Sequence, residues 1–318
     1  MREKQDWQRG QGLRWDDDMK GEGWRELVEG WRETSVCASV PALGSSGNSA
    51  EAVTSAELTS SIGSEAVETL RGEQGRPLRI ATTSWDDGHP FDLRVAELLA
   101  KYGLTGTFYV PITNYLPVMK AADIRRLHGL GMEIGSHGVT HSPLVGLPAA
   151  RRELVESKAR LEELLGTEVH SFCYPKGKFD RSLLPLVKEA GYRLARTTVS
   201  FRVGVKFNPW LMPTSFQFYP HVRRTHIKHA LRGANLSGLA AWVRFFGMEC
   251  ELLTLSDRIV EHIASQGGIF HIWGHSWEID ACGLWSPLEK VLERIANQPD
   301  FSYLANSEVV KQVGGCAS

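Results

Sequence analysis

The alternation of strand and helix patterns between residues 78 and 300 constrains the fold more than any other feature of this sequence. Short apolar runs typical of strands are followed by amphipathic runs typical of helices. Such alternation favours a parallel sheet whose strands are joined by helical crossovers. Repeated right-handed crossovers produce either an open doubly wound sheet or a closed barrel, and the alternation alone allows both.

The predicted elements follow one another with short connections. Strands are predicted over 78–84, 105–110, 132–136, 169–174, 192–197 and 269–273. Helices are predicted over 92–102, 121–130, 148–165, 181–190, 256–266 and 287–298. The stretch 201–238 interrupts the alternation with three prolines and a basic cluster. That cluster, Arg223 to Arg232, predicts either a solvated loop or a lid over a phosphorylated or uronic substrate.

Residues 1–76 differ in composition from the rest of the chain. Much of this region is rich in Ser, Ala, Gly, Glu and Thr and poor in large apolar residues. A segment of this kind buries too little surface to offset the entropy of ordering it. We therefore predict a disordered extension over 1–76, or an adaptor segment that docks through its tryptophans. A folded domain is predicted over 77–312.

Composition and charge narrow the class of protein. The 318 residues carry a formal net charge of -1, which gives no global reason to expect a nucleic acid or an anionic membrane as partner. The five cysteines are scattered and lack metal-site spacing, so neither a disulfide framework nor a cysteine zinc site is indicated. No apolar run reaches membrane-spanning length, and the N-terminus has no apolar signal-peptide core, so we expect a cytoplasmic protein.

Two adjacent carboxylates, Asp86 and Asp87, stand where the first predicted strand ends. Both side chains can reach one site only where the strand stops and the backbone turns, because successive strand residues point to opposite faces. Burying two neighbouring carboxylates is costly without a cation or a shared proton. The simpler alternative is a surface turn, for which Asp-Asp-Gly is common chemistry.

Three further segments follow the ends of other predicted strands. His137 and His141 are four residues apart, a spacing that can present two imidazoles to one ion. The turn after residue 173 has exposed backbone amides that could face a developing oxyanion. His271 and His275 fall on one face of the last strand, where a structural role is the simpler interpretation for His271. In barrels and open α/β sheets, sites assemble at these strand ends.

Taken together, the four segments resemble the polysaccharide deacetylase family, also called the NodB homology or carbohydrate esterase 4 group, over roughly residues 78–300. The stretch from Thr83 to Gly88 matches the family motif T-F-D-D-G, with Trp85 in place of Phe. The stretch from His137 to His141 matches the motif H-x-x-x-H. The motif R-x-P-Y-G survives in degraded form as Cys173-Tyr174-Pro175-Lys176-Gly177, and Phe270 to His275 matches the late histidine motif.

This resemblance implies a metal-dependent hydrolase of the α/β class on a distorted (β/α) barrel of the NodB type. By matching positions, Asp87, His137 and His141 would hold a divalent metal, with Zn²⁺ suiting two imidazoles and one carboxylate. Asp86 would be the general base, and His275 the general acid, with His271 as second choice. The backbone of Tyr174 would help to bind the oxyanion. The residues expected to contact substrate are Trp85, Pro175, Trp210, His271 and Trp277.

Two departures from the family pattern carry expectations of their own. The motif arginine that orients the catalytic aspartate is Cys173 here, so we expect the pKa of Asp86 to be higher than in relatives that keep the arginine. The Asp and Trp pair that supports the acid histidine is not evident, and Glu278 or Asp280 could replace its carboxylate.

The expected reaction is removal of an acyl group, acetyl in the first instance, from an N-acylated sugar or glycan. Soluble sugars, nucleotide-linked sugars or glycolipid precursors are the substrates that suit a cytoplasmic protein. Two alternatives stay open: hydrolysis of another C–N bond, such as a cyclic amide or a formamide, and a carbohydrate-binding module without turnover. Asp86 and His275 disfavour the binding module, because binding alone needs neither a base nor an acid.

Overall fold

The structure, a computed structural model, describes residues 77–232 and 234–315. The extension predicted over 1–76 lies outside the described residues. The strands are β1 (Arg79–Asp86), β2 (Thr107–Val110), β3 (Glu133–Ser136), β4 (Ser171–Cys173), β5 (Leu194–Arg196), β6 (Phe216–Gln217), β7 (Gly268–Gly274) and β8 (Ser302–Tyr303). The helices are α1 (Asp92–Lys101), α2 (Ala121–Gly129), α3 (Ala150–Leu165), α4 (Leu183–Glu189), α5 (Arg223–Arg232), α6 (Leu236–Arg244), α7 (Leu252–Gln266), α8 (Ser276–Ala281), α9 (Trp285–Ala296) and α10 (Asn306–Gly315).

The described strands form one curved sheet in which all pairings are parallel. The order is β5-β4-β3-β2-β1-β7-β6, and β8 pairs with the first half of β1 while β2 pairs with its second half. The segment 212–217 begins with a bridge between Met212 and Arg196 of β5 and ends paired to β7. This segment closes the curved sheet, so the predicted distorted (β/α) barrel is confirmed.

The inside of the barrel is layered along β1. Ile80 lies at the bottom in an apolar cluster with Met212 and with Val309 of α10. Above it, the hydroxyl of Thr82 donates to Asn306 of α10 at 2.9 Å. Helix α10 therefore closes the end of the barrel at which the strands begin.

Outside the sheet, amphipathic helices cover the opposite faces of the strands. Helix α7 buries Leu255, Ile259 and Ile263 at helical spacing. Trp85 of β1 is fully buried in the same large apolar cluster. None of the described helices is long and apolar enough to cross a membrane. Strands with buried residues on both faces are the rule in parallel sheets.

The departures from prediction are local. The segment 223–232 is helix α5 and not a solvated loop. Helix α7 begins four residues before the predicted start, where the carboxylate of Glu251 accepts from the backbone N–H groups of Leu253 and Thr254. The elements that were not predicted are β6, β8, α6, α8 and α10. The unpredicted strands have two residues each, too short for a period to be recognised.

Candidate active site

The first functional side chains lie where β1 ends. Asp86 is the last residue of the strand and pairs in register with Tyr109 of β2. Asp87 follows with a φ of 77° and Gly88 with a φ of 61°, so the chain turns through the left-handed region. This turn breaks the strand alternation and keeps the second carboxylate at the same end of the barrel as the first. Left-handed backbone is uncommon for a residue other than glycine and concentrates at functional sites.

The two histidines lie on the loop that follows β3. The Glu153 carboxylate of α3 fixes this loop by accepting from the backbone N–H groups of Val139 (2.8 Å) and Thr140 (2.9 Å). His137 is buried, and its Nδ1 lies 2.9 Å from the carbonyl oxygen of Cys173. A histidine that donates from one ring nitrogen to a carbonyl offers the other nitrogen to a ligand.

Asp87 and the two histidines converge at one point. Oδ1 of Asp87 lies 3.1 Å from Nε2 of His141 and 3.8 Å from Nε2 of His137, and the ligand atoms of this set lie within 4.8 Å of one another. Burial lowers the pKa of both imidazoles, that of His141 to about 4. Both are therefore neutral at pH 7, which is the metal-binding form of histidine.

The hydrogen bonding of Asp87 leaves one of its two carboxylate oxygens available to a divalent cation. Its Oδ2 accepts from Nε1 of Trp277 at 3.0 Å, whereas its Oδ1 is buried without a hydrogen-bond partner. A buried carboxylate oxygen without a donor is costly, and a cation between it and the imidazoles of His137 and His141 would remove that cost. The residues present therefore fit the metal that the sequence predicts.

A second group of potential ligand atoms comes from Asp86, His137 and Cys173. Thiolate is the form of cysteine that binds metals. Burial, above all, raises the pKa of the Cys173 thiol well above its ordinary range, so this thiol stays protonated. The set containing Asp87 is therefore the better candidate.

Asp86 has a different partner, which the sequence analysis missed. Its Oδ1 forms an ion pair with the guanidinium of Arg196 on β5, and both side chains are buried. Cys173 and Arg196 are register partners on adjacent strands, and the Cys173 Sγ lies 3.7 Å from Oδ2 of Asp86. The arginine that is absent from position 173 is therefore supplied by the neighbouring strand.

This ion pair removes the premise on which we expected Asp86 to have a higher pKa than in relatives that keep the motif arginine. Burial opposes ionisation most strongly, but the charge of Arg196, with contributions from His137 and His275, outweighs it and holds the pKa of Asp86 below its ordinary value. The premise that no arginine acts on Asp86 was wrong. An arginine at the end of a short apolar strand is the sequence signal that could have revealed it, because an isolated buried charge needs a partner.

His275 follows β7 and lies beside Asp87, with Nε2 of the histidine 3.8 Å from Oδ2 of the aspartate. Its Nδ1 lies 2.7 Å from Oε2 of Glu278, which also accepts from Nε2 of Gln217 at 3.0 Å. Of the two carboxylates considered, Glu278 is thus the one that supports the histidine, while Asp280 accepts from Trp285. Burial disfavours charge on His275, but Glu278 and then Asp87 raise its pKa to about 10 in the metal-free protein.

Tyr174 and Pro175 lie where β4 ends, as expected from the sequence. The backbone N–H of Tyr174 donates to the Arg196 carbonyl oxygen at 3.3 Å, and its phenol donates to the Trp210 carbonyl oxygen at 3.0 Å. Pro175 is buried and opens a short 3-10 turn. Both donors of Tyr174 are therefore already engaged, and an oxyanion role would require its backbone amide to leave its strand partner.

His271 and the tryptophans occupy different environments. His271 is buried inside the barrel, where its Nε2 lies 2.9 Å from Oγ of Ser84 and its Nδ1 lies 3.0 Å from the Pro213 carbonyl oxygen. Both ring nitrogens of His271 are thus engaged within the barrel, which favours His275 as the acid. Trp85 is buried in the core, so it has no surface to offer a substrate. Trp277 is half-buried beside Asp87, and Trp210 is half-buried above Tyr192, to whose carbonyl oxygen its Nε1 donates.

Comparison with known proteins agrees with the fold of this chain. Residues 74–195 match the family model described as polysaccharide deacetylase. A comparison with curated proteins finds no match. A solved structure from Mycobacterium smegmatis, assigned as a polysaccharide deacetylase, superposes with a TM-score of 0.51 at 17% identity, over 74% of this chain and 91% of that one.

Two further solved structures are similar at lower scores. Bacillus subtilis PdaA, a family 4 carbohydrate esterase, has a TM-score of 0.48 at 16% identity, over 77% of this chain and 84% of that one. A family 4 acetyl xylan esterase from Clostridium thermocellum has a TM-score of 0.44 at 15% identity, over 73% and 91%. The family match covers residues 74–195, and the Mycobacterium smegmatis structure shares the fold of this chain.

Proposed function

We propose that this chain is a metal-dependent hydrolase that removes an acetyl group from an N-acetylated sugar or glycan. The observation that carries the proposal is that the two neighbouring carboxylates, Asp86 and Asp87, have different partners. Asp87 leaves one buried oxygen without a donor between two neutral imidazoles, whereas Asp86 is held apart by Arg196. One aspartate is arranged to bind a cation and the other to accept a proton.

Asp87, His137 and His141 would hold the ion, and we propose Zn²⁺ because two imidazoles and one carboxylate are typical of catalytic zinc sites. When bound, a divalent ion supplies Lewis acidity that polarises the acyl carbonyl and acidifies the attacking water. Trp277 fixes the orientation of Asp87 through its hydrogen bond to Oδ2. Support of this kind for a metal ligand keeps its second oxygen aimed at the ion.

Asp86 would take the proton from the attacking water. The ion pair with Arg196 keeps it ionised at neutral pH and fixes its position. His275 would deliver a proton to the departing nitrogen, and the carboxylate of Glu278 keeps its imidazole charged. A positioned base or acid of this kind contributes about 10²–10⁴-fold to turnover.

Replacing each aspartate separately tests this assignment. Asp86→Asn should retain the metal and lose on the order of 10²–10⁴ in kcat, whereas Asp87→Asn should lose the metal itself. Asp280→Asn is a matched control, because this residue also accepts from a tryptophan but belongs to no ligand set of the described residues. The measurements are elemental analysis after dialysis and release of acetate from N-acetyl sugars.

Two results would reject the proposal. If Asp86→Asn loses metal while Asp87→Asn keeps it, the roles are reversed. If both variants keep metal and turnover, the carboxylates are not catalytic. A parallel assay of formate release from N-formyl sugars distinguishes deacetylation from hydrolysis of a formamide.

A further inference from the structure

The net charge of -1 conceals a strong asymmetry along the chain. Residues 190–248 contain nine Lys and Arg and no Asp or Glu. With these nine positive charges in one segment, the remainder of the chain carries a net charge of -10. Arg193 and Arg196 are paired with Glu168 and Asp86, and the other cations of the segment can attract anionic partners locally, whatever the net charge of the whole protein.

Part of this basic segment forms a hairpin of two helices, α5 and α6. Its inner side packs on Phe201, whose ring lies 5.1 Å from that of His226 of α5 and 5.4 Å from that of Trp242 of α6. The rings of His226 and Trp242 are also 5.1 Å apart. Because this aromatic cluster fixes the inner side to the barrel, the outer side is a genuine surface of the folded protein.

The outer side of the hairpin is apolar and basic. On α5, the exposed residues Arg224, Ile227, Lys228 and Leu231 follow the spacing of one helix face. On α6, the exposed residues Leu236, Ala240, Val243 and Arg244 repeat the same spacing. Leu231 and Leu236 are 59% and 64% exposed on either side of the connection between the helices.

Large exposed apolar side chains are concentrated here. Among the described residues, eleven large hydrophobic side chains are exposed, and six of them fall between residues 222 and 245. No described ion pair joins Arg223, Arg224, Lys228 or Arg244 to a carboxylate. Clustered apolar residues beside unpaired cations indicate a surface that meets both hydrocarbon and negative charge.

The hairpin also lies at the catalytic end of the barrel. It follows β6, which is parallel to β7, so both strands end on the side where His275 lies. His221, just before α5, is 3.0 Å from Gln217, and Gln217 donates to Glu278, the partner of His275. The side chains of Gln217 and Glu278 thus connect the start of the hairpin to His275, the proposed general acid.

We propose that the α5–α6 hairpin docks this protein on the surface of an anionic phospholipid bilayer, with Leu231 and Leu236 entering the interface and the cations binding headgroups. Helices with an apolar stripe flanked by Lys and Arg bind membranes in this way without crossing them. Docking would bring the catalytic end of the barrel to the membrane surface. The inference is independent of the proposed reaction, because membrane binding needs no substrate.

The test is sedimentation of the full chain with vesicles of phosphatidylcholine alone and of phosphatidylcholine mixed with phosphatidylglycerol. We expect binding to the anionic vesicles that weakens as salt is raised. Arg224→Gln with Lys228→Gln should weaken this binding about 25-fold, at about fivefold for each charge removed. Leu231→Gln with Leu236→Gln should weaken it at least about tenfold through lost apolar burial.

Leu130→Gln with Val155→Gln is the matched control, since both residues are exposed apolar side chains on other helices or helix ends. This control should bind the anionic vesicles like the unchanged protein. The proposal is overturned if the unchanged protein binds both vesicle types equally or neither, or if the control loses as much as the hairpin variants. It is also overturned if the two leucine changes only dissociate a dimer, as seen by light scattering, and leave vesicle binding intact.

Discussion

Exchanging the residues at positions 173 and 196 tests whether Arg196 orients and charges Asp86 in place of the missing motif arginine. The two positions are register partners on adjacent strands, and both side chains reach Asp86. Arg196→Cys removes one partner of a buried ion pair and leaves the carboxylate unpaired. The expected loss of stability is about 3–5 kcal/mol, the usual result of removing one partner from a buried pair.

The expected effect on catalysis is separate from this loss of stability. Asp86 would keep its place in the chain but lose its orientation, and kcat should fall about 10–100-fold, as it does when the support of a functional group is removed. Because Arg196 holds the pKa of Asp86 down, its removal should raise that pKa. Activity should then disappear at a higher pH as the solution is made acidic, since a protonated base cannot accept a proton. Metal content should be unchanged.

The double variant Cys173→Arg with Arg196→Cys returns the arginine to the position where the family motif has it. We expect it to recover at least about tenfold in kcat over Arg196→Cys, and to restore the acidic limb of the pH profile. Arg196→Lys is the control for charge alone, since an ammonium lacks the planar fork of a guanidinium. The reasoning is refuted if Arg196→Cys keeps full kcat, or if its kcat falls only because metal is lost. It is also refuted if the double variant folds but does not recover kcat.

Three other changes have defined outcomes. Trp277→Phe should weaken metal binding about 10–100-fold, because it removes a hydrogen bond to the charged Asp87, worth about 1.5–3 kcal/mol. Trp285→Phe is the control, because it removes a hydrogen bond of the same 3.0 Å length to Asp280. A chelator competition should show unchanged metal affinity in this control. Glu278→Gln should lower kcat about 10–100-fold at constant metal content, since His275 loses its charge partner. A chain beginning at residue 77 should keep its thermal transition and its turnover, and loss of either would show that residues 1–76 contribute to the folded enzyme.

Much of the barrel could be predicted because its strands are buried on both faces. The strands β1 and β7 are buried over almost their whole length, and helices such as α3 and α9 have clear periods and long spans. The missed elements lack these signals. Helix α5 has a polar, basic composition, which indicated a loop. Its buried face is recognisable only in the folded chain, where Phe201 packs against His226.

The candidate metal ligands lie together as the sequence indicated, because each follows closely on a strand end and retains its motif spacing. The residues that hold them in place could not be predicted in the same way. Glu153 lies in the middle of a long helix, where a glutamate is ordinarily a solvated surface residue, and only the fold shows that it accepts from the loop between the two histidines. Gln217 similarly has no sequence signal, because its contact with Glu278 joins segments 61 residues apart.

Arg196 shows how a neighbouring strand can supply a side chain that a motif lacks. A motif records positions along the chain, whereas the requirement on Asp86 is a guanidinium at one point inside the barrel. Adjacent parallel strands lie about 4.8 Å apart, so a side chain as long as arginine can reach that point from β4 or from β5. The rings of Tyr109 and Trp273 lie 5.3 Å and 4.7 Å from the Arg196 guanidinium and supply the cation–π contacts that a buried arginine needs. An arginine at the end of a short apolar strand, next to a strand whose motif lacks one, therefore indicates that the neighbouring strand supplies the partner of Asp86.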